Sequence, residues 1–200
     1  MFRSLARSLC LATTTLMLAS GCSMMCKMEM PQKAAVPPEM QKLAKFVGKW
    51  SGTAEMTYPT KERMMKNMPP GAPEPQTSFK GGNECRMDLG GMRMVCDGWY
   101  EMGEGQKVNY SESWVWCGKS KKYYMIMMDD WGNGGYGTAR WTGDNSMKMK
   151  GMGYSPDGTK KSHSGTISFA DANTITWSFE EKCAWGLCKC MGMTGTSKKQ

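Results

Sequence analysis

Branched aliphatic residues are scarce in this chain. Beyond residue 21 the sequence holds three leucines (Leu43, Leu89, Leu187), three isoleucines (Ile126, Ile167, Ile175) and five valines (Val36, Val47, Val95, Val108, Val115). Histidine is nearly absent, with His163 alone. Serine- or cysteine-type catalysis needs a positioned base, and His163 has no motif around it, so an enzyme of that kind is not expected. The glycine clusters, such as Gly132-Asn-Gly-Gly135, lack the Lys-Ser/Thr of a phosphate loop and read as turns. No apolar run reaches the roughly 20 residues that cross a bilayer. Lysines cluster only at Lys119 to Lys122, Lys160-Lys161 and Lys198-Lys199. With no basic helix and no aromatic-basic platform, nucleic acid is not an expected partner.

What replaces the missing aliphatics is sulfur and indole: 23 methionines and 8 tryptophans in 200 residues. Burying methionine gains about as much hydrophobic free energy as burying leucine. Ordering it costs about 1.5–2 kcal/mol of side-chain entropy against about 0.5–1 for leucine. Such an interior adapts its shape more readily than one built from branched residues.

Arg3 and Arg7 precede a short apolar run that ends in Leu18-Ala-Ser-Gly-Cys22. A basic segment, an apolar segment and small residues are the layout of a secretory signal. Small residues followed at once by cysteine resemble a bacterial lipoprotein signal, in which Cys22 is acylated and becomes the N-terminus. Residues 1–21 are then the signal peptide. Loss of Arg3 and Arg7 lowers the formal charge from +8 to +6. Ser23, where an aspartate would favour inner-membrane retention, points to the outer membrane facing the periplasm. The membrane partner is thus reached through lipid on Cys22.

Residues 22–38 read as a tether rich in methionine and proline, and 39–200 as one domain. The run from Pro38 to Val47 reads as a single short helix ended by Gly48. Residues 59–75 hold five prolines and read as a loop. The remainder alternates. Trp50, Gly52, Ala54, Met56 and Tyr58 occupy one parity of their segment, as do Ile175, Trp177 and Phe179 of theirs. Further strands are expected at 76–88, 92–101, 107–117, 122–130, 134–142, 145–153 and 162–170, with a last one near 188–196. About ten short strands at hairpin spacing predict an all-β fold, an antiparallel up-and-down β-barrel with a short N-terminal helix, or else a sandwich.

One hairpin is predicted in register. With Gly90-Gly91 as a two-residue turn, Leu89 faces Met92, Met87 faces Met94 and Cys85 faces Cys96, giving one apolar face. On the other face Asp88 meets Arg93 and Arg86 meets Val95, while Glu84 meets Asp97 unfavourably. In an oxidising compartment opposed cysteines close, so a Cys85–Cys96 disulfide is expected. A second hairpin about Trp185-Gly186 brings Cys183 opposite Cys188 for a second disulfide, with Cys190 on the same face as a leftover thiol. Seven cysteines follow Cys22, so at least one is free or paired between chains. Cys183, Cys188 and Cys190, with Met191 and Met193, form an alternative soft-metal site for copper(I), as does the tether Met24-Met-Cys-Lys-Met-Glu-Met30. Exposed methionine and these thiols make a copper or oxidant buffer the second functional reading.

Two titratable residues merit a role. His163 lies in the polar stretch Lys160-Lys-Ser-His-Ser-Gly165 and reads as a surface residue. The alternative is a haem ligand, since some small barrels of this class hold haem through one histidine, but its polar flanks speak against that. Glu112 shares a strand face with Val108, Tyr110, Trp114 and Trp116. If that face points inward, Glu112 is an acid in a cavity that anchors a ligand or pairs with an arginine; otherwise it pairs internally with Arg86 or Arg140, or sits at the barrel rim. The expected ligand-binding set is Glu112, Tyr110, Trp114, Met87 and Met94.

Leu43-Ala-Lys-Phe-Val-Gly-Lys-Trp-Ser-Gly52 resembles the opening of the bacterial domain-of-unknown-function family numbered fifteen seventy-nine. Arg86-Met-Asp-Leu-Gly-Gly91 resembles its Arg-x-x-Leu-Gly-Gly hairpin, and Tyr124-x-x-x-x-Asp-Asp-Trp131 fits a third motif loosely. The resemblance spans about residues 40–196 and implies a calycin-type barrel. Gly48-Lys-Trp50 is similar to the Gly-x-Trp that opens lipocalin barrels, where the tryptophan closes one end, often under an arginine. By that resemblance Trp50 is the closing residue and Arg86 a candidate partner. Met92 stands where an arginine commonly follows Leu-Gly-Gly, and Trp116-Cys-Gly118 replaces the usual Gly-Tyr-Asp. The resemblance carries no settled activity. The expected function is binding of a small apolar ligand without catalysis, a filled structural barrel being the third reading.

Overall fold

The computed structural model describes residues 33–58, 77–102, 105–183 and 188–200, with Met102, Cys183 and residues 188–190 described by backbone alone. A compact unit spans Val36–Gln200. Its frame is ten strands: β1 (Gly48–Thr57), β2 (Ser78–Asp88), β3 (Arg93–Met102), β4 (Gln106–Cys117), β5 (Lys122–Asp129), β6 (Gly134–Trp141), β7 (Ser146–Tyr154), β8 (Lys160–Asp171), β9 (Thr174–Cys183) and β10 (Cys188–Lys199). Each pairs antiparallel with its sequence neighbour, and β10 returns to β1, Trp50 opposite Lys199, to close the barrel. Closure leaves no free sheet edge. The expected fold is therefore present, down to the strand count.

The β2–β3 hairpin has the register that the alternation implies, from Asp88 opposite Arg93 to Cys85 opposite Cys96. The cysteines form a disulfide. The turn, however, takes four residues, not two. Leu89–Gly91 wind into a 3-10 turn, and Leu89, Gly90 and Gly91 all adopt positive φ. Leu89 is left 63% exposed and does not extend the apolar face. The Asp88 carboxylate explains the difference: it accepts from the Leu89 amide and pairs with Arg93, ending the ladder there. The expected clash of Glu84 with Asp97 is relieved diagonally, because Arg86 pairs with Asp97 and Lys49 approaches Glu84.

The single helix expected over Pro38–Val47 is two pieces, α1 (Pro38–Lys42) and a 3-10 turn, Leu43–Phe46. Met40, Leu43 and Phe46 recur every third residue and all are buried. A 3-10 segment superposes positions i and i+3, so Leu43 and Phe46 share one surface, which Met40 joins from α1. They seat in one end of the barrel against Trp50, Trp114, Tyr123, Met147 and Phe169. Lys45 fastens this plug by donating to the Asp144 carbonyl (2.6 Å) and Asn145 Oδ1 (2.9 Å) in the β6–β7 turn. Tyr123 donates to the Glu39 carbonyl (2.8 Å) and accepts from Trp141 Nε1 (3.0 Å).

Trp50 sits at this plugged end, 4% exposed, and its Nε1 donates to the Phe46 carbonyl at 2.7 Å. Gly48 begins the strand at φ +124°, a conformation that side chains rarely adopt. Arg86 is not the partner of Trp50. Its side chain points outward to Asp97, and the cation over the Trp50 ring is Lys199, at 5.5 Å from the centroid. Strand alternation is the cause: Cys85 and Met87 face inward, so Arg86 between them faces out.

Candidate functional site

Towards the plugged end the interior is filled. Further along the strands the inward residues change in kind. Small positions recur on that face, and rings lie across them. A Cβ on Gly98 would come within 2.4 Å of Tyr110, one on Gly165 within 2.7 Å of Phe179, and one on Gly195 within 2.4 Å of Trp177. Each ring reaches over a neighbouring strand's glycine, an aromatic–glycine pairing that also covers exposed backbone. Tyr110, Glu112, Met125, Met127, His163 and Phe179 share the inward parity yet are only half-buried. Inward residues that keep accessible surface leave this part of the interior, the chamber, less tightly filled than the plugged end.

Polar groups concentrate on the β2–β4 wall of that chamber. Asn83 lies on β2 opposite Gly98, and Gly98 lies opposite Tyr110. The Tyr110 ring reaches over Gly98, and its hydroxyl accepts from Asn83 Nδ2 at 3.4 Å. Asn83 Oδ1 and Trp114 Nε1 are buried without a hydrogen-bond partner. Glu112 stands between Cys96 on β3 and Met127 on β5. Burial pushes its carboxyl up to about 7, while the approach of the Trp114 N–H works the other way. Burial likewise pushes Tyr110 up to about 12, with the Glu112 charge adding to it. Neither Arg86, paired with Asp97, nor Arg140, exposed on β6, meets Glu112. The internal ion pair expected as an alternative is therefore absent.

His163 is the second inward residue of note, and its expected surface position is corrected. It lies opposite Gly151 and Glu181. Burial lowers its pKa, with Glu181 opposing. Its serine neighbours, which made the segment look solvent-facing, occupy the opposite parity. Lys161 Nζ pairs with Glu181 at 2.9 Å, and Tyr58, raised by burial and by Glu181, stands near them. The haem alternative gains an inward histidine. Yet the imidazole lies across Gly151, with Nε2 where a side chain there would sit, beside a carboxylate and an ammonium. That polar seat does not fit a flat apolar macrocycle.

Other expected site residues fall elsewhere. Met94 is 1% exposed and Met87 packs against the same cluster, so both belong to the plugged end and offer a ligand little surface. The Trp114 ring stacks on Phe46 at 6.3 Å, leaving its N–H edge as its contribution. Cys183 and Cys188 are opposed in register, and the register shifts between Lys189 and Met191, placing Cys190 at the irregularity. Their side chains, Cys22, the tether methionines and the 59–75 loop lie outside the described residues. Among the described residues no group of three or more His, Cys, Asp and Glu forms a metal cluster. Cys117 carries a free thiol, its pKa lowered by hydrogen bonding to Ser120. The sequence reading missed Asn83. Its only signal was a polar residue at an inward parity of β2, and that parity is read most easily once Cys85 is known to face in.

The outer surface carries an open concavity of about 460 Å³ along β8, β9, β10 and β1, bordered by Thr53, Glu55, Thr166, Thr176 and Thr194. Most of these are short outward-facing side chains, and the hollow is what such a ladder leaves. It holds none of the buried unpartnered atoms.

No family model matches the chain, and no curated protein does. Solved structures do. The chain is similar to Rv2717c from M. tuberculosis, with a TM-score of 0.55 at 14% identity, covering 83% of this chain and 99% of that one. It is also similar to the S-type phycobiliprotein lyase CPES from Guillardia theta, with a TM-score of 0.56 at 9% identity, covering 80% and 91%. At these identities the likeness is one of fold.

Proposed function

We propose that this protein is a non-enzymatic binding barrel for a small apolar ligand, anchored in the bacterial envelope through lipid on Cys22. The observation that carries the reading is the set of inward-facing, half-buried methionine and aromatic side chains beyond the plugged end. Methionines and rings hinged over glycine offer an apolar wall that can repack around a guest. The plug of Met40, Leu43 and Phe46 supports one-ended access. Gly48 and Trp50 at that end support membership of the family numbered fifteen seventy-nine. Native mass spectrometry of the full chain, produced and processed in a bacterial periplasm, tests the proposal. Bound mass of a few hundred daltons, lost on denaturation, is expected. A bare protein that also fails to bind apolar fluorophores overturns it.

A further inference from the structure

Among the described residues facing the chamber, Glu112 is the one acid with neither a countercharge nor a set of amide donors around it. Among the inward-facing residues, Glu181 is paired with Lys161. Asp129 is engaged by Asn133 and by the Trp131 amide. Glu112 has no cation beside it on β3, β4 or β5: its neighbours are Cys96, Tyr110, Trp114 and Met127. Alternate residues on a strand lie about 6.8 Å apart and share a face, so Tyr110, Glu112 and Trp114 form a row along the inner face of β4. Asn83 Oδ1 extends it with a second acceptor that has no donor. The Tyr110 and Tyr100 rings, 6.3 Å apart, flank the row.

Two of the unmet needs here, those of Glu112 and Asn83 Oδ1, call for a positive or N–H-bearing group. A buried carboxylate requires a positive partner or it reverts to its neutral form. A buried amide oxygen requires an N–H donor. Tyrosine faces attract cations. The Trp114 N–H makes no hydrogen bond, yet its nearness to Glu112 favours the carboxylate form. Resting on the apolar-ligand reading above, we propose that the chamber takes a lipophilic cation bearing N–H groups, such as an aromatic or alkyl amine, with its charge at Glu112 and an N–H at Asn83 Oδ1.

Three flat molecules of similar size test this on the full processed chain by fluorescence titration. They are 9-aminoacridine (cationic with N–H donors), 9-methylanthracene (neutral) and anthracene-9-carboxylate (anionic). The wild type is expected to bind the cation at least tenfold more tightly than the anion at pH 8. Cation affinity should fall about tenfold from pH 8 to pH 6 as Glu112 gains its proton and the competent fraction shrinks. The other charged or titratable groups facing the chamber among the described residues are Tyr58, Tyr100, Tyr110, Asp129, Lys161, His163 and Glu181. Glu112→Gln separates the Glu112 contribution from theirs. It is near-isosteric and removes a buried charge, so the fold is retained, and the cation should then bind no better than the neutral probe at either pH. Equal affinity for cation and anion, or a preference and pH profile that survive Glu112→Gln, overturns the inference. If the neutral probe binds while no cation preference exists, only this inference falls. If none of the three binds, the apolar-ligand reading falls with it.

Discussion

Glu112 makes stability depend on pH in a direction opposite to most carboxylates. Its folded value of about 7 lies above its ordinary 4.5. Between those values the folded protein holds a proton that the unfolded chain has released, so stability falls as pH rises across the window. The loss is at most about 3 kcal/mol, complete above pH 7. Urea titration should find Glu112→Gln equal to wild type at pH 4 and more stable at pH 8. Parallel curves for the two proteins at all pH values would show that Glu112 is not desolvated. Trp50 is a second residue whose contribution separates cleanly. Trp50→Phe keeps most of the ring but strips the donor from the Phe46 carbonyl, and a loss of about 1–2 kcal/mol is expected. Trp50→Ala removes the packing as well, and about 3–5 kcal/mol. Equal losses in the two variants would mean that the hydrogen bond, not the ring, holds this end.

At the scale of elements, the hairpins state their own register while their ends obey local chemistry. The β2–β3 ladder follows from alternation and from pairing Asp88 with Arg93. Its turn does not, because a side-chain carboxylate competing for the Leu89 amide is invisible to a count of residues. The Cys85–Cys96 bridge spans 11 positions, which the loop-entropy account values at about 3 kcal/mol. Cys85→Ser with Cys96→Ser should lower the urea midpoint accordingly. An unchanged midpoint would show that the unfolded hairpin already holds these strands together. The glycine–ring pairs make a sharper forecast. Alanine for glycine within a strand ordinarily stabilises, by reducing the freedom of the unfolded chain. At Gly98 the added Cβ collides with Tyr110, so Gly98→Ala should destabilise by about 1–3 kcal/mol and alter probe binding in the chamber. A stabilised Gly98→Ala protein would mean that the Tyr110 ring moves without cost.

At the scale of the molecule, closure governs. β10 supplies the only seam to β1, so removing Cys188–Gln200 would bare two long edges at once. Unpaired edges recruit other chains. The truncated protein should aggregate in size-exclusion chromatography under conditions where the full chain elutes as a defined species, and a soluble, defined truncated species would show that β9 and β1 can close without it.

What the amino-acid pattern determined by itself was everything set by neighbours in sequence. Ten alternating segments, a cysteine pair at matched hairpin positions, and one face shared by Glu112, Tyr110 and Trp114 all follow from a side-chain period of two. Only the tertiary structure decided matters that depend on residues far apart in the chain meeting. Lys199 takes the place beside Trp50 because β10 closes on β1, whereas Arg86 is turned outward by the parity of its own strand. His163 looked exposed because its flanks are polar, yet in a strand the flanking residues lie on the other face and say nothing about where the ring points. Glu112 is left without a cation because neither Arg86 nor Arg140 projects into the chamber, a matter of strand parity that composition does not record.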